Sequence, residues 1–320
     1  MPIILPFSMV EDPPLVIADI SVYNAHPTLT PPRYFDFQKY WDKGGRVIIL
    51  RGGVANAGWD YQLTYNVEKC IEMGIHFMIY HYTKLWKNLD NQVAIFSDIV
   101  SYAQSTPLFL DQFLDIETND GLSKTTFTGN AEKIVTRLHG SSGILPGIYT
   151  RAYFWNANTY RNDWAKHLKL WVAHHFTGMS PYVIPTARPY IPDDWADINN
   201  PEVPYLWQID THDDGISWGS TGDNEIDLSF FTRNGGTYSA FNSIWGTNIQ
   251  PPTANPPPTP TEDWREMKVN SMSMRNKPLY QTDTLAGRGI LNRKVEVIGE
   301  NVNGYVPTRI WLWENSLKKV

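Results

Sequence analysis

Two carboxyl side chains lie two positions apart at the end of the apolar run PLFLDQFLDIE (107–117). If this run is a strand, Asp115 and Glu117 project from one face with their Cα atoms about 6.5–7 Å apart. Carboxylates this close repel each other, so one of them should hold a proton near neutral pH. A protonated and an ionised carboxyl flanking one bond are what glycoside hydrolysis requires. A pair of surface carboxylates at a strand exit is the alternative, and a D-x-E motif alone does not decide between them.

Two further carboxyls belong to other apolar runs. Asp19 closes the run LVIADIS (15–21), and Asp227 lies within NEIDLSFF (224–231). In a (β/α)-barrel the active site forms at the C-terminal ends of the strands, where such side chains would meet. Charged strand ends are costly to bury unless they are paired, hydrated or used. The sequence therefore predicts Asp115, Glu117, Asp19 and Asp227 as catalytic residues.

Aromatic residues are abundant, with 13 Trp and 17 Tyr in 320 residues. Sugar rings stack their apolar faces on such side chains, while their hydroxyls bind amides and carboxylates. For any single aromatic residue, packing in the core is the alternative role. The predicted substrate-binding residues, at or just after strand ends, are Tyr82, Tyr149, Trp155, Trp171 and Gln208.

No metal site or cofactor is predicted. His81, His174 and His175 also close apolar runs, but no H-E-x-x-H or comparable metal-ligand spacing occurs. G-x-G-x-x-G and Walker loops, which bind nucleotide phosphates, are absent as well. The single cysteine, Cys70, excludes an internal disulfide framework.

The elements that would position these residues are eight short apolar runs before residue 232. Several intervals between them can hold a crossover helix, at 65–73, 91–104 and 129–140, whereas 176–202 is proline-rich and is predicted to be a loop. This pattern predicts an α/β fold, an irregular (β/α) TIM-like barrel with a reduced helix count; a doubly wound open sheet is the alternative. The eight runs are 15–21, 46–53, 75–82, 107–117, 144–150, 168–175, 203–210 and 224–231.

The segment PPTANPPPTPTED (251–263) has six prolines and is predicted to be an extended spacer. We therefore expect a barrel domain at 1–247, a linker at 248–263 and a small all-β domain at 264–320. The net charge of −6 divides at this point: residues 264–320 hold 10 Lys and Arg against 5 Asp and Glu, and the remainder holds 17 against 28. An acidic body with a basic tail favours an anionic partner for the tail.

The runs described above resemble, in their order and spacing, glycoside hydrolase family 25, the Chalaropsis-type lysozymes, over about residues 12–245. That resemblance implies hydrolysis of the β-1,4 bond between N-acetylmuramic acid and N-acetylglucosamine in peptidoglycan. The segments that carry it are LVIADIS (15–21), LDIE (114–117), GIYT (147–150), LWVAHH (170–175), WQID (207–210) and the pair Asp227-Leu228.

By position, the resemblance implies that Glu117 is the general acid. Asp115 would assist the substrate's own N-acetyl group in attacking the anomeric carbon, which makes the reaction retaining. Asp19 and Asp227 would bind sugar or adjust the charge of the central pair. A chitinase-like family 18 hydrolase is a second hypothesis, but Phe113 and Leu110 stand where that family has aspartates. A non-catalytic wall-binding protein on a barrel scaffold is a third.

The tail at 264–320 resembles a bacterial SH3-like cell-wall-binding domain, on the cues SMSMRNKP, VEVIGE and the pair Trp311 and Trp313. Peptidoglycan is thus the expected partner of both parts, without nucleic acid or membrane insertion. Because the N-terminal segment is a poor secretion signal, we expect a phage or prophage endolysin that accumulates in the host cytoplasm before it reaches the wall. A secreted bacterial autolysin is the alternative.

Overall fold

The computed structural model describes residues 12–26, 29–175, 189–196, 204–222 and 224–252, and four short strands further on. The chain separates into two compact units, Met1–Pro260 and Thr261–Val320. In the second unit two antiparallel pairs are described, Pro278–Tyr280 with Asp283–Thr284 and Ile310–Trp313 with Ser316–Lys319. The rest of the predicted SH3-like domain, and residues 253–263 of the predicted linker, lie outside the described residues.

The first unit is a closed barrel. All eight apolar runs form strands in one sheet, and the pairing of the first strand with the second closes the ring. The alternative of an open doubly wound sheet is therefore wrong. The strands are β1 Val16–Ile20, β2 Val47–Val54, β3 Gly58–Trp59, β4 His76–Tyr82, β5 Phe109–Asp115, β6 Gly147–Thr150, β7 Leu170–Ala173, β8 Leu206–Asp214 and β9 Glu225–Phe231. The short β3 is an addition to the edge of β2.

The barrel is mixed, which corrects the expectation of parallel strands throughout. The ring runs β1-β9-β8-β7-β6-β5-β4-β2, and β9 is antiparallel to both of its neighbours. Only residues 215–224 connect β8 to β9, and a parallel return needs a longer crossover. This reversal brings the first half of β9 to the barrel end that holds the C-terminal ends of the other strands.

Helices cover the outside of the barrel unevenly. The three helices predicted at 65–73, 91–104 and 129–140 are confirmed as α2, α3 and α4. Side-chain caps fix the starts of two of them: Asn88 Oδ1 accepts from Asn91 N in α3, and Ser123 Oγ accepts from Thr126 N in α4. Gly74 ends α2 in the left-handed conformation. The helices are α1 Phe37–Asp42, α2 Leu63–Met73, α3 Leu89–Gln104, α4 Lys124–Ser142, α5 Ala152–Asn158, α6 Gly215–Trp218 and α7 Tyr238–Trp245. Within the described residues, no helix is long and apolar enough to span a membrane.

Apolar side chains fill the barrel interior. Ile17, Ile49, Met78 and Phe113 point inward from successive strands and have no exposed surface. The indole of Trp171 lies edge-on to the ring of Phe113, with centroids 5.8 Å apart. This packed interior lies directly beneath the polar end of the barrel.

Candidate active site

The strand register assembles the predicted carboxyls at one end of the barrel. Asp19 near the end of β1 is paired with Asp227 of the reversed β9. Asp115, the last residue of β5, is paired with Tyr82 on one side and Tyr149 on the other. Asp227 reaches this end because β9 is antiparallel.

Asp115 and Glu117 lie where the backbone leaves β5. Beyond the strand, Ile116 N donates to Tyr149 O at 2.9 Å and Thr83 N donates to Asp115 O at 2.8 Å, which fixes the exit. Asp115 is only 6% exposed, and its Oδ1 has no hydrogen-bond partner among the residues that the structure describes. The Glu117 side chain is 26% exposed. One carboxyl is thus enclosed and the other remains open to a ligand.

Burial and mutual repulsion hold protons in this cluster. The pKa of Asp115 is raised well above its usual range by burial and by the charges of Glu117 and Asp19. The pKa of Asp19 is raised well above it by burial and by Asp227, and the amide of Gln208 opposes this shift. The predicted sharing of protons among close carboxyls is thus supported by the direction of both shifts.

Glu117 has a different surrounding. Burial raises its pKa, while the positive charges of Arg151 and His175 lower it. The Arg151 Nη2 atom lies 3.9 Å from Glu117 Oε2, and the Arg151 side chain is 57% exposed. Glu117 can therefore take up and release a proton at the edge of the site, which a general acid must do.

The amide of Gln208 links four groups of the site. Its Oε1 accepts a hydrogen bond from Tyr149 Oη at 2.7 Å and lies 3.1 Å from His175 Nε2. Its Nε2 donates to Asp19 Oδ2 at 3.0 Å and faces Asp227 Oδ2 at 3.4 Å. Gln208 therefore positions the carboxyls instead of presenting a free amide to a ligand.

A cleft with a volume of about 170 Å³ opens beside Asp19 and Asp227. Carboxyl, hydroxyl and amide groups dominate its walls, as a hydroxyl-rich ligand requires. The lining residues are Asp19, Ile20, Ser21, Tyr23, Asn24, Tyr80, Glu225, Ile226 and Asp227.

Two of the predicted substrate-binding aromatics lie at this end of the barrel. Tyr82 is partly exposed, and the Lys84 ammonium lies 5.6 Å from its ring centroid. Tyr149 is 7% exposed and donates its hydroxyl proton to Gln208, so it supports the site from below. Burial and the surrounding carboxylates raise its pKa well above the usual value.

The other two, Trp155 and Trp171, are corrected, because neither offers an indole face to a ligand. Trp155 has no exposed surface and donates Nε1–H to Asp194 Oδ2 at 2.7 Å. Trp171 is 1% exposed, donates Nε1–H to Ser229 Oγ at 3.0 Å and lies 4.4 Å from the Tyr149 ring. Both indoles pack the structure beneath the site, which is the alternative role that sequence alone left open.

Sequence reasoning missed Asp60 and Arg151. Asp60 Oδ2 accepts from Arg51 Nε at 2.7 Å and from Val22 N at 3.1 Å, so it ties the loop after β1 to the end of β2. No motif signals Asp60, since it follows the two-residue strand β3. Arg151 could have been noticed, because it directly follows the run 144–150 that was predicted as a strand.

Among the described residues, no group of His, Cys, Asp or Glu side chains is arranged to hold a metal ion. The carboxyls at this end of the barrel offer proton transfer from an accessible acid beside an enclosed carboxyl. This defines a glycosidase-like acid site at the mouth of a barrel.

Sequence comparison agrees with this geometry. The sequence model of glycosyl hydrolases family 25 matches residues 19–189, which are more than half of the chain. The chain belongs to this family and is a glycoside hydrolase, which sets aside the family 18 hypothesis. No curated protein sequence matches it.

Solved structures share the fold. The lysozyme of Streptomyces coelicolor superposes with a TM-score of 0.55 at 19% identity, over 73% of this chain and 99% of that one. The muramidase of Acremonium alcalophilum gives 0.53 at 19% identity, over 73% and 100%. The catalytic domain of endolysin ply40 from bacteriophage P40 of Listeria monocytogenes gives 0.53 at 18% identity, over 73% and 98%.

Proposed function

We propose that this protein is a muramidase that hydrolyses the β-1,4 bond between N-acetylmuramic acid and N-acetylglucosamine in peptidoglycan. The observation that carries the proposal is the placement of Asp115 and Glu117 at the mouth of the barrel, where both carboxyls have a raised pKa. Membership of a family that comprises lysozymes and muramidases supports the choice of bond. The fold likeness to a lysozyme and a muramidase agrees with it.

In this proposal Glu117 protonates the oxygen of the leaving sugar. Asp115 accepts a hydrogen bond from the substrate's N-acetyl N–H, so that the acetyl oxygen can attack the anomeric carbon. Water then attacks the anomeric carbon, gives its proton to Glu117 and displaces the acetyl oxygen. The reaction therefore retains configuration without a covalent bond to the protein.

The resting proton has a defined route in this scheme. In the free protein both Asp115 and Glu117 have a raised pKa, and the two carboxyls share a proton as a coupled pair. A substrate N–H that donates to Asp115 stabilises its ionised form and lowers its pKa. The proton of the coupled pair then resides on Glu117, where the leaving oxygen needs it.

Asp19 and Asp227 complete the scheme as sugar-binding residues. They line the cleft beside the central pair, and Gln208 holds both of them. Asp19 also raises the pKa of Asp115 by its charge. Substitution of Asp19 or Asp227 should weaken substrate binding, and the product should stay the same.

The direct test replaces Glu117 by Gln, which keeps the shape and removes the acid. We expect the release of sugar from purified cell walls to fall by about 10³-fold, the usual contribution of a general acid. Glu132→Gln on the exposed face of α4 is the matched control and should keep full activity. Full lysis of walls by the Glu117→Gln chain would remove Glu117 from the mechanism.

We further propose an endolysin-like setting in which residues 264–320 bind the wall. The fold likeness to the catalytic domain of a phage endolysin supports the setting, and the basic balance of the tail supports attraction to an anionic polymer. A chain ending at residue 250 should cleave soluble glycan but no longer sediment with walls. Unchanged sedimentation of that shorter chain would contradict the binding role of the tail.

A further inference from the structure

Two tyrosine rings stand exposed beside the mouth of the barrel. Tyr153 on α5 is 76% exposed and Tyr190 is 41% exposed, and their ring centroids lie 4.7 Å apart at an interplanar angle of 36°. We call them the tyrosine pair. Such exposed rings add little to core packing, so packing alone does not account for the position of Tyr153.

Hydrogen bonds fix the Tyr190 half of the pair. Tyr190 N donates to His174 Nδ1 at 2.6 Å, and Asn156 Nδ2 donates to Tyr190 Oη at 3.4 Å. Asn156 Oδ1 in turn accepts from Asp193 N at 3.0 Å, which ties α5 to the segment that carries Tyr190. The rings are therefore held in place before any ligand arrives, which reduces the entropy lost on binding.

The tyrosine pair is joined to the carboxyl site from two sides. Tyr153 lies two residues after Arg151, whose guanidinium approaches Glu117. His174, which holds Tyr190, is followed by His175, which contacts Gln208. The pair therefore lies at the same end of the barrel as the carboxyl site, on the side of Glu117.

We infer that the tyrosine pair is a stacking platform for one pyranose ring of a glycan strand, on the Arg151 and His175 side of the carboxyl site. A hexosamine ring presents a flat face of C–H groups to the tyrosine rings and a rim of hydroxyls. The Tyr190 hydroxyl and the Asn156 amide, which are hydrogen-bonded to each other, lie beside the pair and can bind that rim. This inference rests on the proposed function and makes the protein selective for long strands over short ones.

The test compares Tyr153→Ala, Tyr190→Ala and the double variant with the unchanged chain. On long soluble glycan strands the double variant should raise KM about tenfold and leave kcat within about twofold, since the platform binds a sugar away from the reacting bond. On the shortest glycan that is still cleaved, kcat/KM should not change. Tyr153→Phe keeps the ring and should behave like the unchanged chain.

Tyr160→Ala is the matched control, because Tyr160 is 57% exposed but lies against Lys124 of α4, 5.8 Å from its ammonium. It should leave both substrates unaffected. Unchanged KM on long strands for the double variant would overturn the platform. An equal loss on both substrates, together with a lower melting temperature, would show a structural role and overturn it as well.

Binding of long strands by the Glu117→Gln chain, measured by calorimetry, separates this inference from the proposed function. If combining Tyr153→Ala and Tyr190→Ala with Glu117→Gln in one chain weakens strand binding about tenfold, the platform is supported even if no bond is cleaved. If the unchanged chain neither binds nor cleaves glycan, both proposals fail. If it cleaves glycan and binds equally well without the pair, only the platform fails.

Discussion

Strand β5 carries two buried aspartates with opposite surroundings. Asp111 and Asp115 share the inward face of the strand and are 1% and 6% exposed. At Asp111 the Lys169 ammonium lies 2.7 Å from Oδ2, and Gln112 N donates to Oδ1 at 2.9 Å. At Asp115 the neighbouring charges that raise the pKa are the carboxylates of Glu117 and Asp19.

The difference shows how burial and neighbouring charge combine. Burial raises the pKa of Asp111, and Lys169 opposes the shift, so a cation balances the charge. Burial raises the pKa of Asp115, the nearby carboxylates add to the shift, and the charges of Arg51 and Arg151 oppose only part of it. A buried charge whose neighbours repel it costs stability, which is characteristic of groups that serve chemistry. We therefore interpret the lower end of β5 as structural and propose that the upper end is functional.

The largest expected effect comes from Asp115→Asn. This variant should lose about 10³-fold in activity on purified walls, because an amide cannot assist the N-acetyl group as a carboxylate does. Its melting temperature should equal or exceed that of the unchanged chain, since one of several crowded carboxyls is removed. A marked loss of stability in thermal denaturation would contradict the functional assignment of the upper end.

Gln208→Leu sharpens the comparison at the same end of the barrel. It removes the hydrogen bond that Gln208 Nε2 donates to Asp19 Oδ2, and this hydrogen bond lowers the pKa of Asp19. We expect activity to fall about tenfold through loss of one hydrogen bond to a carboxylate, with a further rise in the pKa of Asp19. Steady-state kinetics together with carboxyl titration by NMR measure the two effects. An unchanged Asp19 titration would refute the positioning role.

Lys169→Met would make the lower end resemble the upper one. Asp111 would lose its cation, so the free energy of unfolding at pH 7 should fall by about 2 kcal/mol. Activity per folded molecule should remain, because this end lies away from the cleft. Chemical denaturation at pH 7 and pH 4 measures the change, which should be smaller at pH 4, because a larger fraction of Asp111 is then protonated. Equal losses at both pH values would mean that charge is not the cause.

The pH dependence of stability follows from the raised pKa values of Asp19 and Asp115. In an unfolded chain an aspartate titrates near about 3.9. The folded state therefore binds these protons more tightly, and stability falls as pH rises from about 4 through the raised pKa values. Asp115→Asn should reduce this fall, as measured by melting temperature against pH. Identical slopes in the two chains would argue against a proton on Asp115.

The smallest expected effect is that of Arg151→Ala. The Arg151 charge lowers the pKa of Glu117, so its removal should raise that pKa and extend activity to higher pH. The shift should be small, because the guanidinium is largely exposed and solvent screens it. The alkaline limb of the kcat/KM profile measures it. A shift towards lower pH would have the wrong sign for this pair.

Much of the fold could be predicted from sequence because it depends on local patterns. Eight apolar runs became strands, and periodic segments became α2, α3 and α4. The direction of β9 could not be read, since a buried strand has the same composition in either orientation. It matters for function, because the reversal brings Asp227 beside Asp19.

The candidate site was predictable where charge interrupts an apolar run, as at Asp19, Asp115 and Glu117. It was not predictable where the role depends on tertiary contacts. Trp155 follows β6 and Trp171 lies within β7, but packing partners distant in sequence enclose both. Tyr153 and Tyr190 drew no prediction, because only the fold brings their rings together.

The central claim is that the carboxyls at the barrel mouth cleave one particular glycosidic bond. Mass spectrometry of peptidoglycan digested by the unchanged chain tests it most directly, with the Glu117→Gln chain as the blank. The account predicts fragments with new reducing N-acetylmuramic acid ends, formed by the unchanged chain and absent from the blank. New reducing N-acetylglucosamine ends, or cleaved stem peptides with intact glycan, would contradict it.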